Sequence, residues 1–167
     1  MKPINKINLC VAFLFLPILA LATPNDHNEP YHISSDSATF YRNKHTATFI
    51  GNVKGSQGNT KLSGEKVVLY LDSNNKHILR LIDYGKPARY STIPDKKKER
   101  LHAQADIINY YPPKDVVTLT QNAIVTQGQN KITGDFITYD TKQQIVKSKP
   151  TGKNARTVIT VQPQDIS

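Results

Sequence analysis

Two histidines each stand four residues ahead of an aspartate, His32 with Asp36 and His102 with Asp106. Imidazole and carboxylate bind metals and move protons, so these pairs are where the chain offers hydrolytic or metal chemistry. Their duplication argues for another role, because a single active site seldom occurs twice in one small domain. No Gly-x-Ser-x-Gly, His-Glu-x-x-His or phosphate-loop motif accompanies them. The expectation is a protein with no catalytic residue, metal or cofactor, and with these four residues at strand ends and turns.

What positions them is a repeat. Tyr31 to Leu71 is matched by Leu101 to Thr141 at a constant offset of seventy positions with no gap. His32 falls on His102, Asp36 on Asp106, Tyr41 on Tyr111, Asn52 on Asn122, Lys61 on Lys131 and Gly64 on Gly134. A shorter echo sets Gly85 to Arg89 against Gly152 to Arg156. Self-similarity of this kind means two copies of one structural unit, 31–100 and 101–162, in a single domain 31–162, with a flexible lead over 23–30 and a tail over 163–167.

Lys2 and Lys6, the apolar run Leu9 to Leu21 and the small-x-small triplet Ala20, Leu21, Ala22 predict a cleaved signal peptide over 1–22. The one cysteine, Cys10, lies inside it, so the exported chain stands on packing alone, as suits a periplasm. Removing Lys2 and Lys6 takes the net charge from +9 to +7. A basic exported protein points to anionic partners such as phosphorylated lipid, anionic glycan or a membrane surface; export excludes nucleic acid.

The exported chain reads as strands, with no helical periodicity. Ala47, Phe49, Gly51 and Val53 alternate with Thr48, Ile50 and Asn52, and the repeat puts Val117, Leu119, Ala123 and Val125 on the same face. Gly and Asn at 56–59 and 127–130 predict hairpin turns. A phase change between Leu62 and Val67, repeated between Ile132 and Ile137, predicts bulges at Gly64 and Gly134. The Lys96 to Lys98 run reads as a solvated link between the units. Tyr and Phe spread over the apolar strand faces, with two equivalent halves, imply sheets that leave an apolar groove at their seam.

The run Tyr31 to Asp36, then Ala47 to Val53, Lys61 to Tyr70, Tyr84 to Ala88, and in the second unit Leu119 to Ala123 and Ile132 to Tyr139, resembles the OstA-like family over essentially all of 31–161. Pro112 and Pro113 depart from an ordinary turn. The resemblance implies an all-β fold, an open, curled antiparallel β-jellyroll of about sixteen short strands. It also implies a carrier of lipopolysaccharide between inner-membrane and outer-membrane complexes.

Burying a methylene is worth about 0.8 kcal/mol, so shielding acyl chains is itself a function. Alternation nominates Ile33, Phe49, Val53, Leu69, Tyr90, Tyr110, Leu119 and Ile137 as the groove lining. Lys86, Arg89, Lys153 and Arg156 are candidates for lipid phosphates. The edges near Tyr31 to Ser35 and Thr157 to Val161 are candidates for head-to-tail pairing of subunits into rods. Two rivals stay open: an envelope adaptor that binds glycan or protein through its edges, and a small hydrolase using the His/Asp pairs.

Overall fold

The computed structural model describes residues 29–95, 98–151 and 156–161. Ten strands form one antiparallel sheet: β1 (His32–Ser34), β2 (Ser37–Tyr41), β3 (Thr46–Gln57), β4 (Thr60–Leu71), β5 (Ile78–Thr92), β6 (Leu101–Tyr111), β7 (Val116–Gln127), β8 (Asn130–Asp140), β9 (Ile145–Lys149) and β10 (Val158–Thr160). From β3 to β8 each strand pairs with the next in the chain. One edge of the sheet is shared by β1 and β2, both on β3, and the other by β9 and β10, both on β8.

The six long strands are all interrupted at the same height. Register shifts separate Ile50 from Val53, Ser63 from Lys66, Tyr84 from Ala88, Gln104 from Ile107 and Thr120 from Ala123. The breaks form a crease across the sheet, and the edge strands divide there too, β1 from β2 and β9 from β10. Tyr90 pairs with Ala103, seven residues from Tyr110 along β6, which is about 24 Å of extended chain. Yet the Tyr90 and Tyr110 rings lie 6.4 Å apart, so the sheet is folded over at the crease and its two halves face each other. The structure thus has ten strands where about sixteen short ones were expected, because each of the six long strands runs on through the crease instead of ending there.

Gly64 and Gly134 do sit at the crease, opposite Val53 and Ala123, but the extra residues come from their neighbours: one in β3, one in β7 and two in β5. Gly51 and Asn52 (φ 83° and 48°) form the first of these bulges, and Gln121 and Asn122 (φ 65° and 55°) its repeat. The Gly85 to Pro87 stretch forms the bulge within β5. Pro112 and Pro113 open a short 3-10 turn, Pro112–Lys114, matching Arg42–Lys44 in the first unit; the left-handed residues that follow, Asp115 and His45, match as well. The prolines keep the turn because the first positions of such a turn need no backbone donor.

The core lies between the halves. Val53, Ala88, Tyr90, Ala103 and Val125 from the tip-side half (β1, β10 and the neighbouring halves of the long strands) meet Val67, Leu69, Leu81, Tyr110, Val117, Leu119, Ile137 and Tyr139 from the other in a single cluster. Residues opposite one another in an antiparallel sheet share a face, which is why both units bury the same side.

Candidate functional site

All eight residues nominated for the groove lie on the inner face. Val53, Leu69, Tyr90, Tyr110, Leu119 and Ile137 are buried in the cluster, and Ile33 and Phe49 are half-buried against it. Toward the first edge the packing leaves a cavity of about 20 Å3, bounded by Ile33, Tyr90 and Tyr110 together with Leu62, Leu81 and Asp83. That volume holds about one water.

Asp83 was missed in the sequence, although it shares the parity of buried Leu81 and alternation alone places it inward. Its carboxylate is fully buried, neither oxygen has a hydrogen-bond partner, and burial pushes its pKa up to about 7. Gly64 makes the room: a Cβ there would lie 1.9 Å from Asp83 Oδ1.

The fold is tied at its open tips. Tyr31, beside β1, is hydrogen-bonded to Gln57 of its own half and to Tyr110 of the other, and burial raises its pKa. In the second unit Gln144 Nε2 donates to the Pro94 carbonyl at 3.3 Å, joining the β8–β9 turn to the link between the units. At the two ends of the sheet the inner face is bare. Phe40, which pairs with Ala47 in the buried row, is 49% exposed, and Ile159, which pairs with Ile132, is 62% exposed.

Ser35 and Thr157 are half-buried, Thr157 through an Oγ1 donation to Ser148 Oγ at 2.8 Å, whereas Tyr31 and Val161 are exposed. Of the four cations nominated for phosphate, Arg89 lines a trough of about 1070 Å3 on the outer face of the tip-side half. Lys86 and Arg156 are exposed elsewhere, and Lys153 lies outside the described residues. The signal peptide, the Lys96 and Lys97 pair and the tail also lie outside them.

The His/Asp pairs are split between two tasks. Asp36 and Asp106 accept from Asn52 Nδ2 and Asn122 Nδ2 at 2.9 and 3.0 Å and pin the crease bulges, while His32 and His102 line the trough. Among the described residues no three His, Cys, Asp or Glu side chains are grouped to hold a metal.

Comparison with known proteins follows the same outline. The family described as LptA/(LptD N-terminal domain) LPS transport protein matches residues 32–145, from β1 to the start of β9. This chain belongs to that family. The lipopolysaccharide export system protein LptH of Pseudomonas aeruginosa is 34% identical over 152 residues, covering 87% of this chain and 86% of the relative. Lipopolysaccharide export system protein LptA of Escherichia coli K12 is 34% identical over 157 residues, 92% of this chain and 84% of the relative. The crystal structure of LptH, described as the LptA homologous periplasmic component of the conserved lipopolysaccharide transport device from Pseudomonas aeruginosa, superposes with a TM-score of 0.77 at 32% identity, covering 84% of this chain and all of that one. The match to the LptA-like family thus takes in the folded, duplicated sheet from β1 to the start of β9.

Proposed function

We propose that this chain is a periplasmic, non-enzymatic carrier of lipopolysaccharide that shields acyl chains between the two halves of its folded sheet. On this reading it bridges the inner-membrane and outer-membrane parts of the export machinery. Residues 1–22 act as the export signal, and the folded domain begins near Tyr31. The observation that carries the reading is the apolar inner face, covered through the middle of the molecule and bare at Phe40 on one end and Ile159 on the other. Stacking one copy's last edge on another's first edge covers both bare ends and extends the apolar interior from copy to copy. Loading a chain parts the halves, since the cavity between them toward the first edge has room for about one water.

The test is purification from cells that make lipopolysaccharide, followed by extraction and mass spectrometry. Lipopolysaccharide in stoichiometric amount supports the carrier. Protein that is folded, exported and free of lipid supports the adaptor reading instead.

A further inference from the structure

Two largely polar cross-strand rows run along the trough on the outer face, whose lining also includes Ile124 and parts of Ile33, Leu62 and Tyr90. In the first, His32 pairs with Ser56, Ser56 with Lys61 and Lys61 with Ser91; the second unit continues it, Ser91 to His102, His102 to Thr126, Thr126 to Lys131 and Lys131 to Thr160. Each unit therefore contributes the same order of histidine, hydroxyl, lysine, hydroxyl. Neighbouring strands are about 4.8 Å apart, so the row from His32 to Lys131 spans about 29 Å with a basic side chain about every 10 Å. The adjacent row adds Lys54 and Arg89, and among the described residues no carboxylate lines the trough. Asp36, Glu65, Asp106 and Asp135 of this half gather near the crease, while Glu29 and Glu99 stand at the tips, Glu99 beside Gly128.

Alternating hydroxyl and cation is the donor set phosphate oxygens take, the cation balancing charge and the hydroxyl giving a directed hydrogen bond. The row also lies two residues, about 7 Å, from the tips where the halves part, at Gly58 and Gly128. We propose that this row binds the phosphate groups of a phosphorylated saccharide, so that the head of a lipid whose chains lie between the halves folds over the lip onto the outer face. The inference rests on the carrier reading for the source of the saccharide and on the row itself for the phosphate chemistry. A slender phosphorylated saccharide enters the long concave shape; a flat bilayer meets only its rim.

The test titrates the mature protein at low salt with a bisphosphorylated glucosamine disaccharide lacking acyl chains, followed by calorimetry. The parallel probes are the same disaccharide without phosphates, inorganic phosphate, phosphatidylglycerol vesicles and a polyglutamate peptide. The expected result is saturable binding of the phosphorylated disaccharide alone, weakened at least tenfold in Lys61→Gln/Lys131→Gln. Binding should be unchanged in Lys44→Gln/Lys114→Gln, a repeat-equivalent pair at the far tips.

Equal loss in both lysine pairs, full competition by inorganic phosphate at matched concentration, or tighter binding of vesicles or polyglutamate would each overturn the proposal. If the disaccharide binds as proposed and no lipopolysaccharide is ever carried, the carrier reading fails alone. If lipopolysaccharide is carried with equal affinity by the Lys61→Gln/Lys131→Gln variant, the row has no part in it.

Discussion

Asn52 donates from Nδ2 to Asp36 Oδ2 at 2.9 Å, across the crease on which the whole sheet folds. The Asp36 backbone N–H also donates to the Gly51 carbonyl at 2.9 Å, so one residue at the break between β1 and β2 holds both residues of the β3 bulge. The second unit repeats the side-chain contact between Asn122 and Asp106 at 3.0 Å.

Asp36→Ala should therefore destabilise the protein by about 1 kcal/mol, the usual value of such a bond, and Asp106→Ala by a similar amount. The double variant should be nearly additive, since the pairs share no partner. Urea unfolding of the three variants checks this; a loss in the double variant well short of the sum of the single losses would mean that the two creases form one cooperative unit.

The crease also sets a backbone demand. Asn52 and Asn122 hold φ near +50°, where asparagine and glycine are tolerated and β-branched residues are not. Asn52→Gly should cost little beyond the lost hydrogen bond, whereas Asn52→Val should cost roughly 1 to 3 kcal/mol more. Thermal unfolding midpoints of the two variants give the comparison.

Asp83 makes stability depend on pH in an unusual direction. Its folded pKa, about 7, stands above the ordinary 3.8, so between those values the unfolded chain releases a proton that the folded chain keeps. Stability then falls as pH rises through this window, by up to roughly 4 kcal/mol, and levels off above it. Tyr31, Lys61, Tyr90 and Tyr110 are the other titratable groups bounding the same cavity, and burial is the sole cause of the shift. Asp83→Asn should remove this slope while leaving stability near pH 4 close to that of the parent. Urea unfolding at pH 4, 6 and 8 measures it, and parallel curves for the two proteins would contradict the assignment.

The tips hold the halves together by few bonds. Tyr31→Phe with Gln144→Ala removes the Tyr31 hydroxyl from its bond to Tyr110 and the Gln144 donation to Pro94. Amide exchange at Tyr110 and Gln144 should quicken severalfold while exchange at Val67 and Leu119, deep in the core, stays unchanged. The same variant should take up lipid faster, and a stopped-flow signal from a fluorescent fatty acid reads the rate.

The exposed final strand should mediate association. Thr160→Pro removes a backbone donor from β10, and Ile159→Lys places a charge on the bare apolar end. Sedimentation should show the parent forming concentration-dependent oligomers and both variants remaining monomeric.

Much of this fold is legible in the residues because it is written twice. The offset of seventy exposes the unit, and alternation in β3 and β7 places Val53, Leu119 and Val125 on the buried face, as found. The crease was harder to place. Gly64 and Gly134 mark its height, but the inserted residues belong to neighbouring strands, and pairing across strands cannot be read from one strand's period. The basic row escaped for the same reason: His32, Lys61 and Lys131 are far apart in sequence and meet only through register. Asp83 was within reach by parity, yet a carboxylate in an apolar run reads more readily as a surface residue.

A photo-crosslinking scan in living cells tests the central claim most directly. Probes stand on the inner face at Phe49, Leu62 and Tyr110, with controls at Thr48 and Thr118, whose strand partners Val68 and Asn109 lie in the outward rows. The account predicts lipopolysaccharide adducts at the three inner positions and none at the controls. Adducts at the controls alone, or none at any position in a folded and exported protein, would contradict it.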